Sequence, residues 1–225
     1  MDVRVIAERC GEPLVIGLDE AGRGPMIGPM VVAVAGLPRR RLQALVGVGA
    51  RDSKAMTPRS RERVRAILER MLDFAAVGVV EPWEIDEAVW GRRYGSLNVL
   101  EAVAMAELIR LAADRCRVEA AYVDSPDPVP ERFAAKLSEE TGVVVVAEND
   151  ADKKYVIVSA ASILAKTERD RLVEALKARY GDFGSGYPSD PRTREWAARW
   201  LEGHGGEPPP IARRSWKSWR KVGRV

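Results

Sequence analysis

The sequence predicts an α/β fold: a mixed five-stranded sheet flanked by helices, with a small helical C-terminal extension. Three observations predict it. Three strand-length apolar runs come early. Helices then alternate with two further apolar runs, the pattern of a layered sheet with helical cover. Past Gly181 the texture changes to loops, caps and short helical stretches. The chain thus divides into a domain over 1–182 and an extension over 183–225.

The elements follow in order. Leu14 to Leu18 and Met30 to Leu37 read as strands joined by a Gly- and Pro-punctuated turn. Thr57-Pro58 is an N-cap with proline at the first helical position, opening a charged helix to about Leu72. Phe74 to Val80 is a third strand and Pro82 to Trp90 a short helix. Ser96 caps a helix whose apolar face carries Leu97, Leu100, Ala104, Leu108 and Leu111. Ala120 to Asp124 is a strand ending in a carboxylate. Pro130 to Thr141 is a helix stopped by Gly142. Val143 to Ala147 is β-branched without alternation, as in a strand covered on both faces. One long helix is expected from about Lys154 to Tyr180, with Ser159-Ala160-Ala161-Ser162 small enough to lie close on the sheet. Asp190-Pro191 caps a short helix, and Gly203 to Pro210 is a break.

Composition excludes several classes. In 225 residues, 46% are hydrophobic and 31% charged, enough apolar mass for a core and too much for disorder. No run approaches the ~20 apolar residues of a membrane span. The N-terminus has no signal-peptide pattern, so a soluble, cytoplasmic protein, read as a monomer, is expected. Cys10 and Cys116, far apart in sequence, suggest neither a disulfide framework nor a metal pair. Net charge is +3, but Ile211 to Val225 carries six basic residues and no acid, leaving a body with 30 basic against 33 acidic residues. That tail, interleaved with Trp216 and Trp219, reads either as a polyanion contact or as an amphipathic helix packing its tryptophans on the body.

Candidate chemistry lies in carboxylates at strand ends, where α/β sites gather: Asp19 and Glu20, Asp124, and Asp150 and Asp152. Singly, each could be a turn former or helix cap; together they suit hard cations such as Mg²⁺. Neighbours in a regular strand point to opposite faces. The chain must therefore bend at Glu20, or Glu20 must bind through its carbonyl. Gly22-Arg23-Gly24 could approach a phosphate or sugar hydroxyl, or simply be a turn. Asp52-Ser53-Lys54 is a phosphate grip or an exposed loop. The single histidine, His204, sits in a Gly-rich linker, which disfavours histidine-dependent acyl transfer and zinc hydrolysis.

These residues resemble the type 2 ribonucleases H, the ribonuclease HII family, particularly its archaeal members. The matching segments run in family order: Gly17-Leu18-Asp19-Glu20-Ala21-Gly22-Arg23-Gly24-Pro25, Asp52-Ser53-Lys54, Tyr122-Val123-Asp124-Ser125, Ala151-Asp152 with Tyr155, Val158 to Lys166, and Gly184-Ser185-Gly186-Tyr187-Pro188. The resemblance implies a ribonuclease H-like fold. It implies Mg²⁺- or Mn²⁺-dependent cleavage of RNA in RNA–DNA hybrids, including ribonucleotides embedded in duplex DNA. Asp19, Glu20, Asp124 and Asp152 would be the catalytic, metal-holding carboxylates. Gly22, Arg23 and Gly24 would meet the 2′-hydroxyl and backbone, and Tyr187 would stack at the RNA–DNA step. Ser53, Lys54 and Lys166 would contact phosphates, as would the basic tail. The family's usual Lys-Ala-Asp is here Asp150-Ala151-Asp152; counting back from Tyr155 and Ser159 assigns the role to Asp152, with Asp150 an assistant or a cap. The tail lacks the glutamine-led sliding-clamp signature that archaeal relatives often carry. The alternatives are another metal nuclease of this fold, a non-catalytic hybrid-binding module, or a scaffold whose tail is the functional part.

Overall fold

A computed structural model describes residues 1–49 and 56–222. Six strands occur among them: β1 (Asp2–Glu8), β2 (Leu14–Ala21), β3 (Met30–Leu37), β4 (Phe74–Val80), β5 (Val118–Asp124) and β6 (Val145–Glu148). They form one mixed sheet in the order β1-β4-β3-β2-β5-β6. β1, β4, β3 and β2 are antiparallel neighbours, whereas β5 and β6 run parallel to β2.

The expected α/β class holds, with one strand more than the sequence suggested. β1 is an edge strand on β4, and its alternation of Asp2, Arg4 and Glu8 with Val3 and Val5 was the signal for it. Cys10 and Cys116 also depart from expectation, because they form a disulfide with Cα atoms 5.3 Å apart. Cys10 follows β1 and Cys116 caps the helix before β5, so the fold brings together residues that sequence distance had separated.

Helices cover both faces: α1 (Leu42–Gly47), α2 (Pro58–Met71), α3 (Pro82–Val89), α4 (Leu97–Arg115), α5 (Pro130–Thr141), α6 (Ala151–Lys154) and α7 (Val156–Tyr180). A 3-10 turn, Arg39–Arg41, precedes α1. The strand pleat sorts the core. Leu14, Ile16 and Leu18 of β2 join the layer with α4, while Val15 faces α7 with Val31 and Ala33 of β3. The caps follow local chemistry: the Thr57 side chain accepts from Ser60 N at 3.2 Å and Ser96 from Val99 N at 3.3 Å, and Gly142 ends α5 at φ 70°.

Gly17 fixes how closely α7 approaches the sheet. A Cβ there would lie 2.4 Å from the Ile157 carbonyl carbon and 2.6 Å from Val158 N. The small Ser159-to-Ser162 stretch continues that close contact, with all four side chains buried.

The long helix expected from about Lys154 to Tyr180 is α7, which starts two residues later at Val156 with the short α6 just before it. Tyr155 takes an extended step between them, because its ring packs on Tyr122, centroids 4.6 Å apart, and its hydroxyl bonds Glu148.

Beyond residue 182 come α8 (Pro191–Gly203) and α9 (Ser218–Val222). Their apolar residues, among them Phe183, Trp196, Ile211 and Trp219, share one cluster with Met26, Ile27 and Val173 of the body. Among the described residues no helix is long and apolar enough to cross a membrane.

Candidate active site

The parallel register pairs Leu18 with Val123, so Asp19 and Asp124, one residue further along, leave the sheet side by side. Asp19 faces α7 and is buried. Burial pushes its carboxyl well above the usual range, the charges of Glu20 and Asp124 add to that, and a Ser162 hydrogen bond and Lys166 oppose it. Glu20 is pushed up to about 7 by burial and then by Asp124, with Arg23 pulling the other way.

No break occurs in β2 at Glu20, since pairing with β3 continues through Ala21. The two carboxylates keep opposite faces of the strand, and Asp124, at the end of β5, interacts with both. Asp124 also accepts the Ala151 backbone N–H at 2.7 Å, which seats α6 and its Asp152 beside it. Asp152 is 4% exposed. The Asp150 side chain is 56% exposed and pairs with Lys153 at 2.9 Å. The two candidates thus differ in burial.

The donor set suits a hard divalent cation, being all oxygen and held close enough for mutual repulsion to disfavour ionisation. Among the described residues no three Asp, Glu, His or Cys side chains already form a coordination sphere.

Beside the carboxylates lies a cleft of about 360 Å³, lined by Glu20, Gly22, Arg23, Gly24, Lys166, Arg169 and Tyr187 among others. Lys166 donates to the Ser162 hydroxyl at 2.7 Å. Tyr187 stands on the Gly22–Gly24 turn, its ring 3.4 Å from where a Gly24 Cβ would be, and is 38% exposed. Gly22 adopts φ 85°, and a Cβ there would meet Arg169 Nε at 2.4 Å. Two segments distant in sequence thus share one wall. Ser53 and Lys54 lie outside the described residues.

Arg23 lines the same cleft. Its guanidinium pairs with Glu101, which is fully buried, and bonds Asn98 Oδ1 at 2.7 Å. Its side chain remains 36% exposed. Glu101 had a sequence signal: it lies four residues after Leu97 and three before Ala104, a charge on an apolar face. Arg169 had none, yet it lies over the Tyr187 ring at 5.5 Å.

The tail divides between its two readings. Arg213 is fully buried and cannot contact phosphate. Trp216 Nε1 donates to Gly24 O at 3.1 Å and Trp219 Nε1 to Met26 O at 3.3 Å, so both rings pack on the body. Arg214, Lys217, Arg220 and Lys221 remain exposed. His204 stacks on Trp200, ring centroids 4.0 Å apart.

Comparison with known proteins gives one answer. A family profile described as Ribonuclease HII matches residues 16–219. The chain is similar to the ribonuclease HII of Thermofilum pendens, 51% identical over 92% of this chain and 98% of that one. That of Pyrococcus horikoshii is 47% identical over 92% of each. Among solved structures, ribonuclease H2 from P. horikoshii superposes with a TM-score of 0.85 at 45% identity, covering 93% of this chain and 96% of that one. The ribonuclease HII of a PCNA complex from Archaeoglobus fulgidus gives 0.84 at 40%, covering 94% and 97%.

Proposed function

The chain belongs to the ribonuclease HII family of metal-dependent endonucleases, which act on RNA–DNA hybrids, and we propose that it also cuts duplex DNA on the 5′ side of an embedded ribonucleotide, leaving a 5′-phosphate and a 3′-hydroxyl. Asp19, Glu20, Asp124 and Asp152 would hold two divalent ions, Mg²⁺ or Mn²⁺. When bound, such ions supply an activated water and stabilise the leaving 3′-oxygen. Asp150, paired with Lys153, serves α6 instead.

The chain's own groups select and position the substrate. Telling RNA from DNA takes a hydrogen-bonding group at the 2′-hydroxyl, and the Gly22-Arg23-Gly24 backbone offers one with little steric cover. Tyr187 would stack on the nucleotide at the junction. Lys166, held at Ser162, neutralises the phosphate beside the carboxylates. Ser53 and Lys54 would add phosphate contacts. Residues 183–225 act as a substrate-binding extension, with Arg214, Lys217, Arg220 and Lys221 available to the duplex. The A. fulgidus relative has been solved in a complex with PCNA, while the tail of this chain lacks the glutamine-led signature.

One observation carries the reading: Gly24 and Tyr187, far apart in sequence, line one cleft with Glu20, the Tyr187 ring 3.4 Å from where a Gly24 Cβ would be. The test is cleavage of a duplex carrying one ribonucleotide, with Mg²⁺ or Mn²⁺, beside an all-DNA duplex and the Asp124→Asn protein. A single metal-dependent cut 5′ of the ribonucleotide, lost in the variant, is expected. Cleavage of long hybrids alone would remove the junction-reading role of Gly22 to Gly24 and Tyr187.

A further inference from the structure

Arg213 lies in the C-terminal extension, fully buried, and no carboxylate among the described residues forms an ion pair with it. Its three guanidinium nitrogens are used on backbone carbonyls of one loop. Nε donates to Gly28 O at 3.0 Å, Nη1 to Arg23 O at 2.8 Å and Nη2 to Gly22 O at 2.5 Å. Its own N–H donates to Met26 O at 2.9 Å. The following residues are seated separately: Asp86 of α3 accepts from the N–H of Arg214 and of Ser215, each at 2.8 Å.

Burying a cation without a counter-charge is costly unless its donors are fully used. Here they serve the turn that borders the cleft. In a trans peptide the C=O of one residue and the N–H of the next point in opposite directions. Holding the Gly22 and Arg23 carbonyls on Arg213 therefore directs the Arg23 and Gly24 N–H groups away from it. A lysine could not do this, because its ammonium is a compact point charge without the planar fork of donors.

We infer that Arg213 is a positioning residue, which fixes the Gly22–Gly24 peptide planes so that their N–H groups are presented to the sugar-phosphate backbone of the substrate. The inference rests on the proposal that this turn meets the substrate. It changes what the extension does: besides offering exposed charge to the duplex, it completes the geometry of a loop 190 residues earlier in the chain.

The test uses the full chain as wild type, Arg213→Lys and Arg213→Gly. Each is assayed for kcat and KM on a long RNA–DNA hybrid and on a one-ribonucleotide duplex, and for Mn²⁺ affinity by calorimetry. A misplacement near 1 Å can lower kcat by about 100-fold, and a loss of that order is expected for both variants, with Mn²⁺ affinity unchanged. Added guanidinium ion should restore part of the kcat of Arg213→Gly and none of Arg213→Lys. Unchanged kcat in folded Arg213→Lys would overturn the inference, as would a kcat loss matched by loss of Mn²⁺ binding, or failure of guanidinium to rescue folded Arg213→Gly. If Arg213→Gly does not fold, the kcat and Mn²⁺ affinity of Arg213→Lys decide. Should the wild type cut hybrids only, the 5′-incision proposal falls while kcat on the hybrid still decides the role of Arg213.

Discussion

Replacing Gly17 by alanine tests whether the close approach of α7 to β2 sets the candidate active site. The new Cβ would lie 2.4 Å from Ile157 C and 2.5 Å from Ile157 O, where ordinary contact begins near 3.4 Å. These are backbone atoms, so no side chain can rotate aside, and α7 must retreat by about 1 Å. Overpacking of this kind costs about 1–3 kcal/mol, equivalent to a fall in Tm of about 2–12 °C for a chain of this size. The same retreat carries Ser162 and Lys166 away from Asp19, for which a loss in kcat of about 100-fold is expected. Gly36→Ala is the matched control. It lies on the neighbouring strand, and its Cβ would meet the Ile16 Cγ2 and Phe74 Cβ side-chain atoms at 3.2 Å, which can give by a few tenths of an ångström. Thermal melts and cleavage of a hybrid under saturating Mn²⁺ measure both quantities. Equal behaviour of the two variants, or Gly17→Ala with unchanged Tm and kcat, would refute the argument.

Two further outcomes are expected. Glu20 has a usual pKa of 4.5 and is raised to about 7 in the fold. Its contribution to stability is therefore full below about pH 4.5 and lost as pH rises through 7. Chelated protein should melt lower at pH 7.5 than at pH 5.5, the Glu20 share of that difference being about 2 kcal/mol, and Mn²⁺ should narrow the gap; equal melts in chelator would contradict this. The Cys10–Cys116 bond closes a span of 106 residues. Chain-entropy arguments give such a loop up to about 5 kcal/mol, so Cys116→Ser should lower Tm by roughly 10 °C, and quantitative labelling of two thiols in unreduced protein would remove the bond from consideration.

The sequence carried the fold wherever local chemistry and periodicity agreed. Leu14 to Leu18 and Met30 to Leu37 were apolar enough to mark central strands, and Thr57, Ser96 and Gly142 marked helix ends by their capping chemistry. What it concealed depended on tertiary neighbours. Nothing local distinguishes Arg213 from Arg214, yet one is buried and the other exposed. The break at Tyr155 depends on Tyr122, thirty-odd residues away, and the disulfide depends on β1 being an edge strand. At the candidate site, the strand-end placement of Asp19 and Asp124 was readable, whereas the burial of Asp152 and the exposure of Asp150 were not. That Asp19 and Glu20 meet a common neighbour from opposite faces was not, because it depends on where β5 ends.

The distribution of tryptophan gives the molecule an optical consequence. Four of its six tryptophans, Trp196, Trp200, Trp216 and Trp219, lie in the extension, and the other two, Trp83 and Trp90, are exposed on or just beyond α3. Trp216 donates its indole N–H to Gly24 O, so its emission reads the local field at the turn proposed to meet the ribonucleotide. Intrinsic fluorescence can therefore follow arrival of a duplex at this wall without any attached dye, with Trp216→Phe as the blank.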